Sequence, residues 1–163
     1  MINKRRRMHG KTDYKARLNL LKTDKPRIVI RKTNRYVIAQ YIESKEAQDK
    51  IIFGANSNEL LKYGWPESAK GSLKSIPASY LTGFLLGRKI LFKFDNPKAV
   101  IDFGLNRNVK KSRLYAALKG VIDAGIEMNA EDVFPDEKII EGKVIKNKVD
   151  IKKIKEKIEN ETE

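Results

Sequence analysis

Few residue types in this chain could perform covalent or metal-dependent chemistry. The sequence contains no cysteine, which excludes disulfides, thiolate zinc sites, cysteine nucleophiles and iron–sulfur clusters. It contains one histidine, His9, so neither a histidine cluster for a metal nor a Ser/His/Asp relay can be assembled from this chain alone. Because His9 lies in a basic segment, a hydrogen bond to phosphate, or no role, suits it better than acid–base catalysis.

One carboxylate, Asp102, leaves an enzymatic alternative open. It lies in an apolar run that predicts a buried strand, and such a carboxylate could bind the metal of a nuclease. Sites of that kind usually need several convergent acids, and no recognisable acidic motif is nearby. The glycines at 83, 87 and 104 do not precede helix starts with the spacing of phosphate-binding loops, so nucleotide hydrolysis is not expected. We expect no catalytic residue, no metal and no cofactor.

The dominant chemical feature is an excess of positive charge. The 163 residues include 35 Lys and Arg against 21 Asp and Glu, a formal net charge of +14. Residues 1–35 hold 13 of these cations and only two acids, and residues 106–113 form a second block without acids. Arginine forks match phosphate oxygens, and Tyr14 and Tyr36, each close to an arginine, can stack on unpaired bases. The pattern predicts a polyanionic partner.

An excess of positive charge can also arise without a nucleic acid. A solvated basic arm without any partner would show the same excess. A membrane-surface helix would need a broad apolar face, and residues 1–11 offer only Met1, Ile2 and Met8. No segment approaches the roughly 20 apolar residues of a bilayer span, and no apolar run follows the basic N-terminus, so a soluble protein without a secretion signal is expected.

The elements that would position these residues can be predicted from periodicity and turn chemistry. Residues 1–11 have no apolar period and predict an extended arm, followed by a helix from Asp13 to about Lys22 with Thr12 as its cap. The β-branched runs over 26–31 and 36–42 predict a hairpin around Thr33-Asn34.

The rest of the chain alternates helix and strand. The expected elements are a strand over 50–55, a short helical piece and loop over 57–76, a helix over 77–94, a buried strand over 99–105, an amphipathic helix over 114–126 and a tail helix within 148–163. Strand, helix, strand and helix after a hairpin indicate an α/β layer fold. In the tail helix the lysines precede the glutamates, an order that opposes the helix dipole, so this helix is expected to be marginal unless it docks.

Several segments in fixed order carry a resemblance to a known family. They are 5–7, 10–14, 17–18, 26–40, 62–65, 77–83, 102–105, 112–113, 116–125, 134–135 and Gly142. In order and spacing they resemble the archaeal and eukaryotic large-subunit ribosomal protein family, number eighteen in the universal naming, that binds 5S ribosomal RNA. The match covers most of residues 4–145, the size fits the archaeal form, and the tail past about residue 147 has no counterpart.

The resemblance implies a structural, non-enzymatic RNA-binding protein. Its implied fold is a mixed β-sheet with helices packed on it, with a basic extended N-terminal arm over 1–12, a globular α/β domain over 13–146 and a C-terminal helical extension over 147–163. Its implied partners are 5S rRNA, large-subunit rRNA and neighbouring large-subunit proteins in the central protuberance of a cytoplasmic ribosome, with no membrane and no small-molecule substrate.

By the same resemblance, the arm, the hairpin and the loop after the predicted fourth strand are the expected RNA contacts. The candidate residues are Arg5, Arg6, Arg7, His9, Lys11, Tyr14, Arg17, Arg31, Lys32, Asn34, Arg35, Tyr36, Arg107, Lys110, Lys111 and Arg113. The arginines would neutralise phosphates, and either tyrosine would stack on a base or ribose. The alternatives are a metal-dependent nuclease that uses Asp102 and a nucleic-acid chaperone without a dedicated target.

Overall fold

The computed structural model describes residues 5–46, 48–95, 97–128, 133–141 and 149–161. The helices and strands are α1 (Arg5–Met8), α2 (Tyr14–Leu21), β1 (Arg27–Lys32), β2 (Val37–Lys45), β3 (Gln48–Asn56), α3 (Ile76–Leu91), β4 (Val100–Asp102), α4 (Arg113–Asp123), α5 (Glu137–Ile140) and α6 (Ile151–Glu161). Two 3₁₀ turns, Ser57–Leu61 and Glu67–Ser72, connect β3 to α3.

The strands form one mixed sheet in the order β3-β2-β1-β4. β1 pairs antiparallel with β2, with Ile28 opposite Tyr41, and β2 pairs antiparallel with β3. β4 lies parallel to β1, with Arg27 opposite Val100. The α/β fold with a mixed sheet is therefore confirmed, as is the hairpin predicted from the β-branched runs.

Helix α3 is the centre of the core. It contacts β2 and β3 of the sheet as well as α4 and α6, and its residues 77–87 are all buried. The predicted start at Pro77 is confirmed, because Pro77 occupies the first turn, and Ser75 caps the helix. Trp65 is also buried, and its Nε1 donates to the Ala69 carbonyl at 3.1 Å, which makes it a packing residue. Of the helices in the described ranges, none has the length and apolar composition that crossing a bilayer would require.

Three sequence predictions are wrong in detail. Residues 5–8 form one helical turn and not an extended segment. The cap of α2 is Asp13 and not Thr12, because the Asp13 carboxylate accepts from the backbone N–H groups of Lys15 and Ala16 at 3.0 and 3.1 Å.

The third error is that β4 is short and half-buried. It covers only Val100–Asp102, because the chain turns away at Gly104, which has a φ of +60°. The tail helix, predicted to be marginal alone, docks: Ile151, Ile154 and Ile158 are buried, and α6 lies against α3.

Candidate nucleic-acid interface

An open cleft lies where α2, the end of β1 and the loop after β4 meet. We call it the α2–β4 cleft, and its volume is about 810 Å³. Its polar and aromatic lining includes Lys11, Arg17, Arg31, Asp102, Asn108 and Tyr115. Three residues predicted as RNA contacts from separate parts of the sequence, Lys11, Arg17 and Arg31, therefore share one surface.

Beside this cleft, three arginines alternate with two aspartates in a chain of ion pairs. Asp49 pairs with Arg17 at 2.8 Å and with Arg27 at 2.7 Å. Asp102 pairs with Arg27 at 3.2 Å and with Arg31 at 3.0 Å. The network joins α2 to β3, β1 and β4, and with three cations for two anions it keeps a positive charge.

The network shifts the ionisation of Asp49. Partial burial acts to raise the pKa of this carboxyl, but hydrogen bonds from Ser44 and Arg17 and the charges of Arg27 and Arg17 outweigh it. The pKa of Asp49 is consequently below its ordinary value. The carboxylate is held ionised as a partner for the guanidinium groups.

Asp102 serves the same purpose, which bears on the nuclease alternative. Its Oδ2 accepts from Arg27 at 3.2 Å, and its Oδ1 accepts from Arg31 at 3.0 Å and from the Gly104 N–H at 2.7 Å. Both carboxylate oxygens are thus engaged by cationic or N–H donors. The described part of the chain has no group of three or more His, Cys, Asp or Glu side chains arranged to hold a metal. The geometry of Asp102 is that of an arginine anchor.

Arg27 is the residue of this site that sequence reasoning missed. Its position in a β-branched run predicts an ordinary strand residue, yet it is 2% exposed and donates to Asp49, Asp102 and Ser44. Side chains alternate along a strand, so Arg27 and Arg31 lie on the same face of β1. Two arginines at this spacing in a β-branched run are the signal for a charged strand face that needs acidic partners.

The basic arm presents its described side chains to solvent. Arg5, His9 and Lys11 are exposed, and Tyr14, at the start of α2, is half-buried. The His9 N–H donates to the Arg5 carbonyl at 3.1 Å, which closes the α1 turn. The side chains of Arg6 and Arg7 lie outside the described part of the structure.

The hairpin contributes a second exposed set at its tip. Lys32, Asn34 and Arg35 are exposed there. Tyr36 differs, because its ring is half-buried and packs against the core, while its N–H donates to the Thr33 hydroxyl at 2.9 Å. Less of its ring is therefore available for stacking on a base.

The loop between β4 and α4 contributes a third set. Arg107, Lys110 and Arg113 are exposed. Lys111 has a φ of +58° and pairs with the exposed Asp136 at 2.8 Å. The cations of this loop and of the hairpin tip do not line the α2–β4 cleft themselves. The loop residues that do are Phe103, Gly104, Leu105 and Asn108.

The chain is similar to ribosomal proteins of archaea. Residues 1–99 match the family model described as ribosomal large subunit proteins 60S L5 and 50S L18. The "large ribosomal subunit protein uL18" of Korarchaeum cryptofilum is 49% identical over 142 residues, which cover 86% of this chain and 70% of that protein. The uL18 proteins of Methanothrix thermoacetophila and Aeropyrum pernix are 41% and 44% identical, over 88% and 83% of this chain and 82% and 62% of their own lengths.

Proposed function

This chain belongs to the family of ribosomal large subunit proteins 60S L5 and 50S L18, and from that premise we propose that it binds 5S ribosomal RNA. Family membership makes it a structural, non-enzymatic component of the large ribosomal subunit, as the sequence resemblance implied. The proposal goes further in naming the RNA. In this proposal the chain attaches 5S RNA to large-subunit RNA in the central protuberance, beside other large-subunit proteins.

The observation that carries the proposal is the convergence of basic segments on one side of the molecule. Lys11 of the arm, Arg17 of α2 and Arg31 of β1 line one cleft, although they come from three different elements. A ribose-phosphate surface needs positive charge at several points along its path, and separate segments that meet around a cleft supply it. A purely solvated basic arm would not require Arg17 and Arg31 to be fixed by aspartates.

The predicted cationic contacts divide into two groups in this proposal, those that bind phosphate directly and those that aspartates hold in place. The cations that bind phosphates as point charges or as bidentate donors are Arg5, Arg6, Arg7, Lys11, Lys32, Arg35, Arg107, Lys110, Lys111 and Arg113. Arg17 and Arg31 bind with the N–H groups that their aspartates leave over. Lys111 exchanges the exposed Asp136 for phosphate at little cost, because ion pairs between exposed groups contribute little.

The remaining contacts are polar or aromatic. His9 and Asn34 donate to phosphate or ribose, and the partly exposed rings of Tyr14 and Tyr36 stack on a base or ribose. In this arrangement residues 1–12 act as a separate RNA-binding arm, residues 13–146 as the globular domain and residues 147–163 as a tail away from the RNA. No covalent step is involved, since affinity comes from the release of counterions and from shape.

The test replaces Arg5, Arg6 and Arg7 together with Ala and measures affinity for a 5S RNA transcript and the melting temperature. Affinity should fall at least tenfold while Tm stays unchanged, because an arm outside the core contributes little to stability. The matched control replaces Lys152, Lys153 and Lys157, which are exposed on α6, and removes the same charge. Equal losses of affinity in both triple variants would show that only net charge matters and would contradict the proposed interface.

A further inference from the structure

The guanidinium of Arg31 is held in one orientation inside the α2–β4 cleft. Its Nη1 donates to the carbonyl oxygens of Ile30 at 3.0 Å and Asp102 at 2.6 Å, and its Nη2 donates to the Asp102 carboxylate at 3.0 Å. A guanidinium carries five N–H donors. Three are therefore committed to protein acceptors, and the other two remain on a side chain that is 38% exposed.

Gly104 determines how close the backbone can approach this guanidinium. A Cβ at that position would lie 2.8 Å from Cζ of Arg31, so any side chain would push the guanidinium aside. The N–H of Gly104 donates to the Asp102 carboxylate at 2.7 Å, which helps to fix the partner of Arg31. Asp102 and Gly104 together act as positioning residues for Arg31.

An aromatic wall faces the same cleft. Phe103 and Tyr115 meet edge to face, with ring centroids 5.3 Å apart and an interplanar angle of 73°. Both rings are half-buried and both line the cleft. A volume of about 810 Å³ falls within the range of about 300–1,000 Å³ that small-molecule sites occupy.

The charges around the cleft favour an anion. Lys11, Arg17 and Arg31 contribute cations, whereas the two acidic residues of the lining are both engaged by the protein itself. Asp13 accepts the N–H groups at the start of α2, and Asp102 accepts from arginines. Three cations against two acids leave the lining with a net positive charge, and both acids already accept hydrogen bonds from the protein, so an entering phosphate is attracted to the site.

We propose that the α2–β4 cleft binds one unpaired nucleotide of RNA, with its phosphate on the Arg31 guanidinium and its base against Phe103 and Tyr115. The inference rests on the proposed function, because it takes RNA as the partner. Paired bases in an A-form helix are stacked on one another and cannot reach such a wall, whereas unpaired nucleotides can be splayed onto aromatic side chains. The oriented guanidinium of Arg31 matches the phosphate of a single nucleotide, and the adjacent rings of Phe103 and Tyr115 match its base.

One pair of variants tests the phosphate contact. Gly104→Ala displaces Arg31 without changing the charge of the protein. Gly54→Ala controls for the added methyl group, because a Cβ at Gly54 meets nothing within 4 Å, and Gly10→Ala, with a φ of +59° and open space, controls for the strain of a positive φ. In binding titrations with a 5S transcript, Gly104→Ala should weaken affinity about tenfold or more. It should also reduce the slope of log K against log salt by about 1, the effect of losing one phosphate contact. Gly54→Ala should change neither quantity.

A second pair tests the base contact. Tyr115→Leu keeps an apolar side chain but removes the ring, and should weaken affinity about tenfold with an unchanged salt slope, because stacking releases no counterion. Phe53→Leu is the control, since Phe53 makes a comparable edge contact with Phe94 and does not line the cleft. A salt slope that falls for Gly104→Ala and not for Tyr115→Leu would support the proposal.

Ultraviolet cross-linking of the unaltered chain to 5S RNA gives a readout that needs no variant. The peptide that carries the cross-linked nucleotide should contain Phe103 or Tyr115. If Tyr115→Leu lowers the melting temperature, so that its affinity cannot be interpreted, the position of the cross-link tests the base contact instead. Tight 5S binding with cross-links only outside this cleft and wild-type affinity of Gly104→Ala would overturn the nucleotide site while leaving the proposed function intact. Failure of the unaltered chain to bind 5S RNA would overturn the proposed function itself.

Discussion

At the scale of single residues, the arginines of the first strand divide between stability and binding. Arg27 is 2% exposed, and its charge is balanced by ion pairs with Asp49 and Asp102. Its Nε has no hydrogen-bond partner in the described part of the chain. Arg31 shares Asp102 but remains 38% exposed. Burial therefore makes Arg27 a structural cation, while Arg31 keeps donors for a partner.

Replacing Arg27 with Met should strongly destabilise the fold. The change removes one partner of a buried network and leaves two aspartates with fewer cations, which costs about 3–5 kcal/mol. Urea denaturation measures the free energy of unfolding. The matched change at the exposed hairpin tip, Arg35→Met, should stay within about 0.5 kcal/mol. A similar small effect for both variants would show that the network does not stabilise the fold.

Asp49 should make the protein sensitive to acid. Its pKa in the folded state is below the ordinary value of 3.8, so the ionised carboxylate stabilises the fold above that pH. The contribution is lost as the pH falls from 3.8 through the lower folded-state pKa. Asp49→Asn should therefore be less stable than the wild type at pH 7, and its stability should fall less steeply below about pH 4.

The measurement is the free energy of unfolding of wild type and Asp49→Asn at about pH 7 and at several values below about 4. Glu67→Gln serves as the control, because Glu67 is exposed on a 3₁₀ turn. Parallel stability curves for wild type and Asp49→Asn would rule out a role for this carboxylate in acid sensitivity.

At the scale of elements, the crossing of α3 and α4 depends on the absence of two side chains. A Cβ at Gly83 would overlap the carbonyl oxygen of Ala117, and a Cβ at Gly120 would overlap that of Tyr80. Gly83 and Gly120 thus serve close helix packing. The atoms that each added Cβ would meet belong to the backbone of the other helix, so a change of side-chain rotamer cannot relieve the overlap.

Gly83→Ala should therefore separate the helices and destabilise the protein by about 3 kcal/mol or more. Gly71→Ala is the matched control, since nothing lies within 4 Å of a Cβ at that position, and it should leave stability unchanged or slightly higher. Chemical denaturation of both variants checks the prediction, and equal stabilities would contradict the close approach.

The tail helix α6 owes its stability to docking. Three isoleucines spaced along one face are buried, and Lys155 Nζ lies 4.7 Å from the ring centroid of Phe84 on α3. Glu161, the last residue of α6, reaches Tyr63, which lies between the two 3₁₀ turns. Burial raises the pKa of Tyr63, and the charge and hydrogen bond of Glu161 raise it further. Glu161, which opposes the helix dipole, thus has a hydrogen-bond partner on the globular body.

Ile158→Ala should lower Tm by about 5–10 °C, because the side chain is fully buried and a cavity remains. Affinity for 5S RNA should not change, since α6 packs on α3 and contributes no residue to the α2–β4 cleft. Lys153→Ala, at an exposed position on the same helix, should alter neither property. A loss of RNA affinity in Ile158→Ala without a loss of Tm would place the tail in the interface.

At the scale of the whole molecule, the fold explains which predictions from sequence succeeded. The hairpin and α3 follow from local signals, namely β-branched runs around Thr33-Asn34 and an apolar helix after Pro77. The ion-pair network of the arginines and aspartates does not follow from local signals, because Arg31 and Asp102 are 71 residues apart and meet only through the parallel pairing of β1 with β4. Local patterns carry no information about such a pairing.

The same limit applies to the binding surface. The sequence suggested candidate cations, but it did not indicate that Arg17 and Arg31 are fixed by aspartates or that they share a cleft with Lys11. The excess charge lies in the first fifth of the chain, and the elements it forms, the arm, α2 and the start of the sheet, border that cleft. The rest of the molecule is nearly neutral and forms the packed body.

The most direct test of the central claim is the affinity for a 5S RNA transcript, measured against salt beside an unrelated folded RNA of equal length. If the arm and the loop between β4 and α4 alone neutralise about six to eight phosphates, affinity for 5S RNA should fall roughly a thousandfold or more between about 50 and 200 mM salt. At each salt concentration 5S RNA should be preferred by several kcal/mol. A nearly flat salt dependence, or equal affinity for the two RNAs, would contradict the account.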